Sequence, residues 1–258
     1  MYSKTYTGLI LVFLLSCSGN ITNGEQLIPP TITANKEVYF ANVEAIPVPD
    51  RFKRIAAGQN SFGDWLRKIN LKKSNTVYLY NGQKKLNQDA QFAVLDISVG
   101  DKNLQQCADA AMRLRAEYLY SIKKFDAIMF RDNDGKEYPF TPPHNPEHFA
   151  NYLQHIFAVC GTASLSKQMH AVKIDALQPG DVLIRGGFPG HAVLLMDMAI
   201  NNDGQIIYLL AQSYMPAQDI HILKNPASAG LSPWYLLNNS EHIETPEYIF
   251  KRNELKRW

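Results

Sequence analysis

The feature that most constrains the fold of this 258-residue chain is a set of four short apolar runs at 181–184, 191–199, 205–214 and 220–223, separated by Gly, Pro, Asn and Asp. Runs of that length, cut by turn residues, predict β-strands. The four-residue Asn201-Asn202-Asp203-Gly204 loop is too short for anything but an antiparallel connection. Two helical patterns precede the strands. One runs from Leu104 to about Ile122, with Asn103 as cap and Gln106 as reciprocal partner of a capping box. Leu104, Ala108, Ala111, Arg115, Tyr118 and Ile122 fall along one face of it, and Arg113 can pair with Glu117 on the flank. The other has Asn145 as cap, Pro146 at the first helical position and Gly161 past its end, with Phe149, Leu153, Ile156, Phe157 and Cys160 spaced for burial. Helices first and strands afterwards predict an α+β domain.

Further hairpins are expected at 76–80, running into Asn81-Gly82, and at 127–130, running into Asn133-Asp134-Gly135, with another strand at 93–99. An apolar fraction of 46% is ample for a core. A net charge of +2, with both signs interspersed, leaves no basic stripe and so gives a nucleic-acid partner no electrostatic support. Residues 31–258 suit one domain, with about 31–100 as an N-terminal elaboration.

At the N-terminus, Lys4 precedes an apolar run at 8–15 that exits through Ser16 into Cys17. The run is short of the roughly 20 residues a spanning helix needs and predicts a signal peptide. Leu14-Leu15-Ser16-Cys17 resembles the bacterial lipobox. That resemblance implies cleavage before Cys17, lipidation of its thiol and a membrane partner reached through N-terminal lipid. Residues 18–30, rich in Ser, Gly, Asn, Thr and Pro, read as a flexible tether. Ser18 after the cysteine resembles an outer-membrane sorting signal.

Chemistry is signalled by the order Cys107, His191, Gln212: a thiol at a helix start, an imidazole on a strand and an amide on the next strand. A thiol in a first helical turn is expected to have a lowered pKa, and a nearby imidazole can take and return its proton. An even loop between the two strands puts Gln212 opposite Val193 and on the face of His191; an odd loop would exchange it for Ser213. Asp197 shares the parity of His191 but lies about 20 Å away along a strand. The segment 179–184, Pro-Gly-Asp-Val-Leu-Ile, followed by Gly190-His191-Ala-Val-Leu-Leu, resembles the histidine strands of NlpC-type cysteine peptidases. This implies a papain-like fold with the cysteine helix packed on an antiparallel sheet, and cleavage of amide bonds in peptidoglycan peptides. Gln106-Cys107-Ala108 departs from the Asp-Cys-Ser start of those enzymes. Segments 105–118 and 210–218 resemble an uncharacterised family of bacterial lipoproteins known only as a domain of unknown function.

The expected activity is therefore that of a cysteine hydrolase acting on a peptidoglycan or envelope peptide, without cofactor or metal. The rival reading is an inactive lipoprotein of the same fold that binds a peptide or glycan. Gln105 or Gln106 can assist an oxyanion hole. Cys107 and Cys160 form a disulfide in a competing reading, against which Cys160 fits the apolar face of its helix. His144-Asn-Pro-Glu147-His148 spells an inverted zinc-peptidase motif, but Pro146 keeps the two histidines off one continuous helix. Trp65, Trp234, Tyr235, Tyr248, Phe250 and Trp258 read first as packing residues, with the lining of a cleft as the alternative.

Overall fold

The computed structural model describes residues 39–258. The signal peptide at 1–17, the lipidation site Cys17 and the tether at 18–30 lie outside the described residues.

In chain order the elements are β1 (Phe52–Arg54), α1 (Phe62–Arg67), β2 (Gln91–Val94), α2 (Cys107–Ser121), β3 (Met129–Arg131), β4 (Glu137–Pro139), α3 (Pro146–Val159) and α4 (Thr162–Gln168). Then come β5 (His170–Ala171), β6 (Val182–Arg185), β7 (His191–Asn201), β8 (Ile206–Gln212), β9 (His221–Leu223), β10 (Tyr235–Leu236), β11 (His242–Glu244), β12 (Ile249–Lys251) and β13 (Leu255–Arg257). The fold is α+β. Its main sheet has nine strands in the order β2-β9-β8-β7-β6-β13-β5, with β1 added to β7 and β10 to β8.

The central strand explains why its sequence reads as a solid apolar run rather than an alternation. Every residue of β7 from His191 to Ala199 is buried. Ala192, Leu194 and Met196 pack in one core with Leu66, Met112 and Ile156 of the helices. Val193, Leu195 and Met198 pack in a second core with Tyr235, Ile243 and Phe250. A strand covered on both faces needs no polar side, and each large side chain so buried contributes about 1.5–3 kcal/mol.

Helix α2 starts later than its sequence pattern suggests, at Cys107. Asp109 Oδ2 accepts from the Gln106 backbone N–H at 2.8 Å, so Gln106 closes the helix start. Asn103 is drawn elsewhere, its Oδ1 accepting from the Ala217 N–H at 2.8 Å. The helix is also buried on more than the one expected face, with Ala110, Met112, Leu114 and Ala116 all inside. Its small alanines allow that enclosure between the sheet and the other helices. Arg115 is half-buried with no carboxylate beside it; burial lowers its guanidinium pKa, and it lies over the rings of Phe62, Tyr118 and Trp258, whose faces attract the cation. Arg113 Nε meets Glu117 Oε1 at 2.8 Å, as the spacing predicts.

Helix α3 forms as expected, with Asn145 Oδ1 accepting from the His148 N–H at 2.8 Å and Pro146 leading the first turn. His144 stacks on Phe125 and His148 on Phe140, so both imidazoles serve an aromatic cluster. The hairpin expected at 76–80 is reduced to a turn with Gly82 at φ +79° and a single bridge from Tyr78 to Lys84. Its backbone is taken up instead by 217–218, through the Tyr80 N–H to Ala217 O bond and the Leu79 to Gln218 bridge. The strand expected at 93–99 is β2, ending at Val94. Among the described residues no helix is long and apolar enough to cross a membrane.

Candidate active site

The start of α2, the start of β7 and the segment that follows β8 converge on a cavity of about 290 Å³ whose wall includes Gln106, Cys107, Asp109, His191, Tyr214 and Tyr248. Cys107 is the first residue of its helix and its thiol is buried. The nearby backbone N–H groups of Ala192, Ala108 and Cys107 favour the thiolate. Burial, followed by the Asp109 carboxyl, outweighs them and pushes the thiol up to about 11. The lowered thiol pKa expected from the helix start is thus corrected: the donors are present, but desolvation of the charge is larger than their pull.

His191 is placed by a tight approach of its loop to α4. A β-carbon on Gly190 would stand 2.4 Å from Thr162 Oγ1 and 2.5 Å from Gly187 O, so only glycine fits before the histidine. The ring lies among Tyr214, Tyr248 and Phe250, with centroids 4.8, 5.0 and 5.8 Å away. Burial in that aromatic wall lowers the imidazole to about 4, against the raising effect of its bond to Gln212. At neutral pH the imidazole carries no charge.

Gln212 reaches His191 directly, its Oε1 lying 2.8 Å from His191 Nε2. The route to that register differs from the even-loop reasoning. Ile200 pairs with Ile206 around residues 201–205, an odd connection, which alone would turn Gln212 away. A bulge at Met196 then shifts the register by one, so that Leu194 faces Ala211 and Gln212 comes beside Val193. The same bulge redirects Asp197, whose carboxylate accepts from Arg67 Nε at 2.6 Å and Arg54 Nε at 2.7 Å.

Four polar side chains beyond the expected three complete the surroundings. Gln212 Nε2 donates to Glu247 Oε2 at 2.7 Å and stands 3.4 Å from His221 Nε2. Glu247 is paired with the buried Lys85 at 2.6 Å. Asp109 is buried with Oδ1 lacking a hydrogen-bond partner among the described residues, and burial raises its carboxyl to about 8. Of the two glutamines before the cysteine, Gln106 lines the cavity. Gln105 is turned away, its amide donating to Gln218 O at 3.3 Å and accepting from Arg113. Cys160 also lines the cavity but is free, as is Cys107, and its S–H donates to Arg131 O at 3.3 Å.

The sequence matches a family model described as Domain of unknown function (4846) over residues 43–145 and 141–257. The chain belongs to that family. No curated protein and no solved structure matches it. The match takes in Lys85, Cys107, His191, Gln212, His221 and Glu247, so the whole cavity and the network behind Gln212 lie within the family's span. A larger cavity of about 600 Å³ lies elsewhere, lined by Tyr208, Asn225, Tyr235 and Arg252 among others. Two of its polar groups are engaged by backbone carbonyls, Tyr235 Oη by Lys224 and Asn225 Nδ2 by Trp234, and no cysteine lines it. Among the described residues no cluster of three His, Cys, Asp or Glu is arranged to hold a metal ion.

Proposed function

We propose that this protein is a papain-like cysteine hydrolase of the bacterial cell envelope, lipidated at Cys17 and anchored in the outer membrane, that cleaves an amide bond in a peptidoglycan peptide or similar substrate. The observation that carries the reading is the 2.8 Å contact between His191 Nε2 and Gln212 Oε1, with His191 and Cys107 lining one cavity. An amide oxygen on Nε2 leaves Nδ1 as the basic nitrogen. In the reaction the Cys107 proton passes to His191 Nδ1 while the sulfur adds to the substrate carbonyl carbon. The oxyanion takes hydrogen bonds from the Cys107 backbone N–H and the Gln106 side-chain amide. The imidazolium then protonates the leaving nitrogen as the C–N bond breaks. Water, deprotonated by His191, hydrolyses the thioester and restores the thiol.

A second reading, a binding protein for a peptide or glycan without turnover, draws on the resting protonation: with the thiol at about 11 and the imidazole at about 4, the free site holds a neutral pair. Incubating purified peptidoglycan with the mature protein and with Cys107→Ala separates the two. Turnover predicts new amide-cleaved fragments whose release falls by more than about 10³-fold in the variant. Identical fragment patterns from both proteins would leave binding as the function.

A further inference from the structure

Gln212 is the one member of the set whose two ends are chemically different yet nearly the same shape, so something must decide which end faces His191. Glu247 is a carboxylate in an ion pair and offers only acceptors. The Gln212 atom 2.7 Å from its Oε2 must therefore be the nitrogen. His221 makes the same demand through its other hydrogen. Its Nδ1 lies 2.9 Å from the carbonyl oxygen of Asp219 and so carries the proton, which leaves Nε2 as the acceptor facing the Gln212 nitrogen at 3.4 Å. With both amide hydrogens committed, the oxygen can only face His191, and an oxygen there requires the His191 proton to sit on Nε2. Lys85 fixes Glu247 in turn, pairing with it at 2.6 Å while itself only 6% exposed, and Asn87 Nδ2 donates to its second oxygen at 3.1 Å.

We infer that Glu247, held by Lys85, and His221 are positioning residues that lock the Gln212 amide in one orientation and so set His191 in the tautomer with Nε2 protonated and Nδ1 free. The inference rests on the proposed reading for its use in catalysis, though not for the tautomer itself. Turned the other way, the amide would bring its oxygen against the Glu247 carboxylate and its nitrogen to His191 Nε2. That would drive the ring proton to Nδ1, the nitrogen that must accept from Cys107. The network is a tautomer lock built from groups that never touch substrate.

The test uses the mature protein labelled with ¹⁵N in its histidines, with the His191 signals assigned by their loss in His191→Asn. Wild type is expected to show a single Nε2–H tautomer at neutral pH. Glu247→Gln, which can both donate and accept, is expected to give a mixture of the two tautomers and to slow peptidoglycan cleavage about 10- to 100-fold in kcat, with KM within about twofold, the usual loss when a group orienting a functional histidine is removed. Should the unpaired Lys85 prevent folding, Lys85→Met combined with Glu247→Gln removes the buried charge and makes the same tautomer prediction. A variant that is less stable but keeps the wild-type tautomer overturns the inference, because a merely structural role predicts that result. A tautomer scrambled by Glu247→Gln in a protein that cleaves nothing leaves the inference standing and removes the hydrolase reading. Cleavage by wild type with an unchanged tautomer and rate in the variant removes the inference alone.

Discussion

At Asp109, burial overrides a hydrogen bond. Its Oδ2 holds the Gln106 N–H, yet desolvation by burial raises the carboxyl to about 8, and Oδ1 finds no donor among the described residues. A carboxyl whose folded pKa exceeds its usual value of 3.8 makes the folded state bind the extra proton, so its contribution to stability falls as pH rises from about 4 to about 8. His191 and His221 act in the opposite sense. Burial lowers them to about 4 and about 3 from 6.5, so the unfolded chain binds more protons below 6.5 and stability falls on acidification through that range. Together they predict a stability maximum near pH 6.5. Asp109→Asn keeps an acceptor for the helix start and should abolish the decline between 6.5 and 8; thermal midpoints across pH 5–9 check it, and a parallel decline in the variant would assign it to other groups. Cys107, His191 and Gln212 were legible because each sits where a turn signal meets an element. Glu247 and Lys85 were not, since 162 residues separate the pair and neither carries a local pattern.

Among the elements, β7 and β8 show how the site depends on one extra residue. The connection at 201–205 and the bulge at Met196 each shift the register by one, and only together do they bring Gln212 to His191. Loop composition revealed the antiparallel pair, but a bulge inside a run of buried apolar residues has no sequence mark when both faces are covered. Helix α4 was equally silent, because it has one large core residue, Leu165, and no amphipathic period. It nonetheless shapes the cavity by pressing on the loop before β7. Gly190→Ala should therefore cost about 1–3 kcal/mol in denaturant melts and displace His191. Adding Thr162→Gly should not restore it, because the carbonyl oxygens of Gly187 and Arg185 stand 2.5 and 2.8 Å from the new carbon.

For the molecule as a whole, the N-terminal elaboration is part of the sheet rather than an appendage. It supplies β1 to the edge of β7 and β2 to β9, and Arg54 and Arg67 converge on Asp197, which is fully buried. Removing the carboxylate leaves two guanidinium groups without their partner. Asp197→Ala should destabilise by about 3–5 kcal/mol in urea unfolding, and a cost under about 1 kcal/mol would mean that water reaches the pair. What the sequence determined by itself was the α+β class, the limits of α3 and the strands β6 to β9, with the element positions of the three side chains proposed for the chemistry, because apolar period, caps and turn residues act over a few residues. What only the tertiary structure decided was the protonation of Cys107 and His191, the choice between Gln106 and Gln105, and the network from Gln212 to Lys85. Those depend on burial and on contacts between residues far apart in the chain, and desolvation is a property of the packed interior that no local pattern encodes.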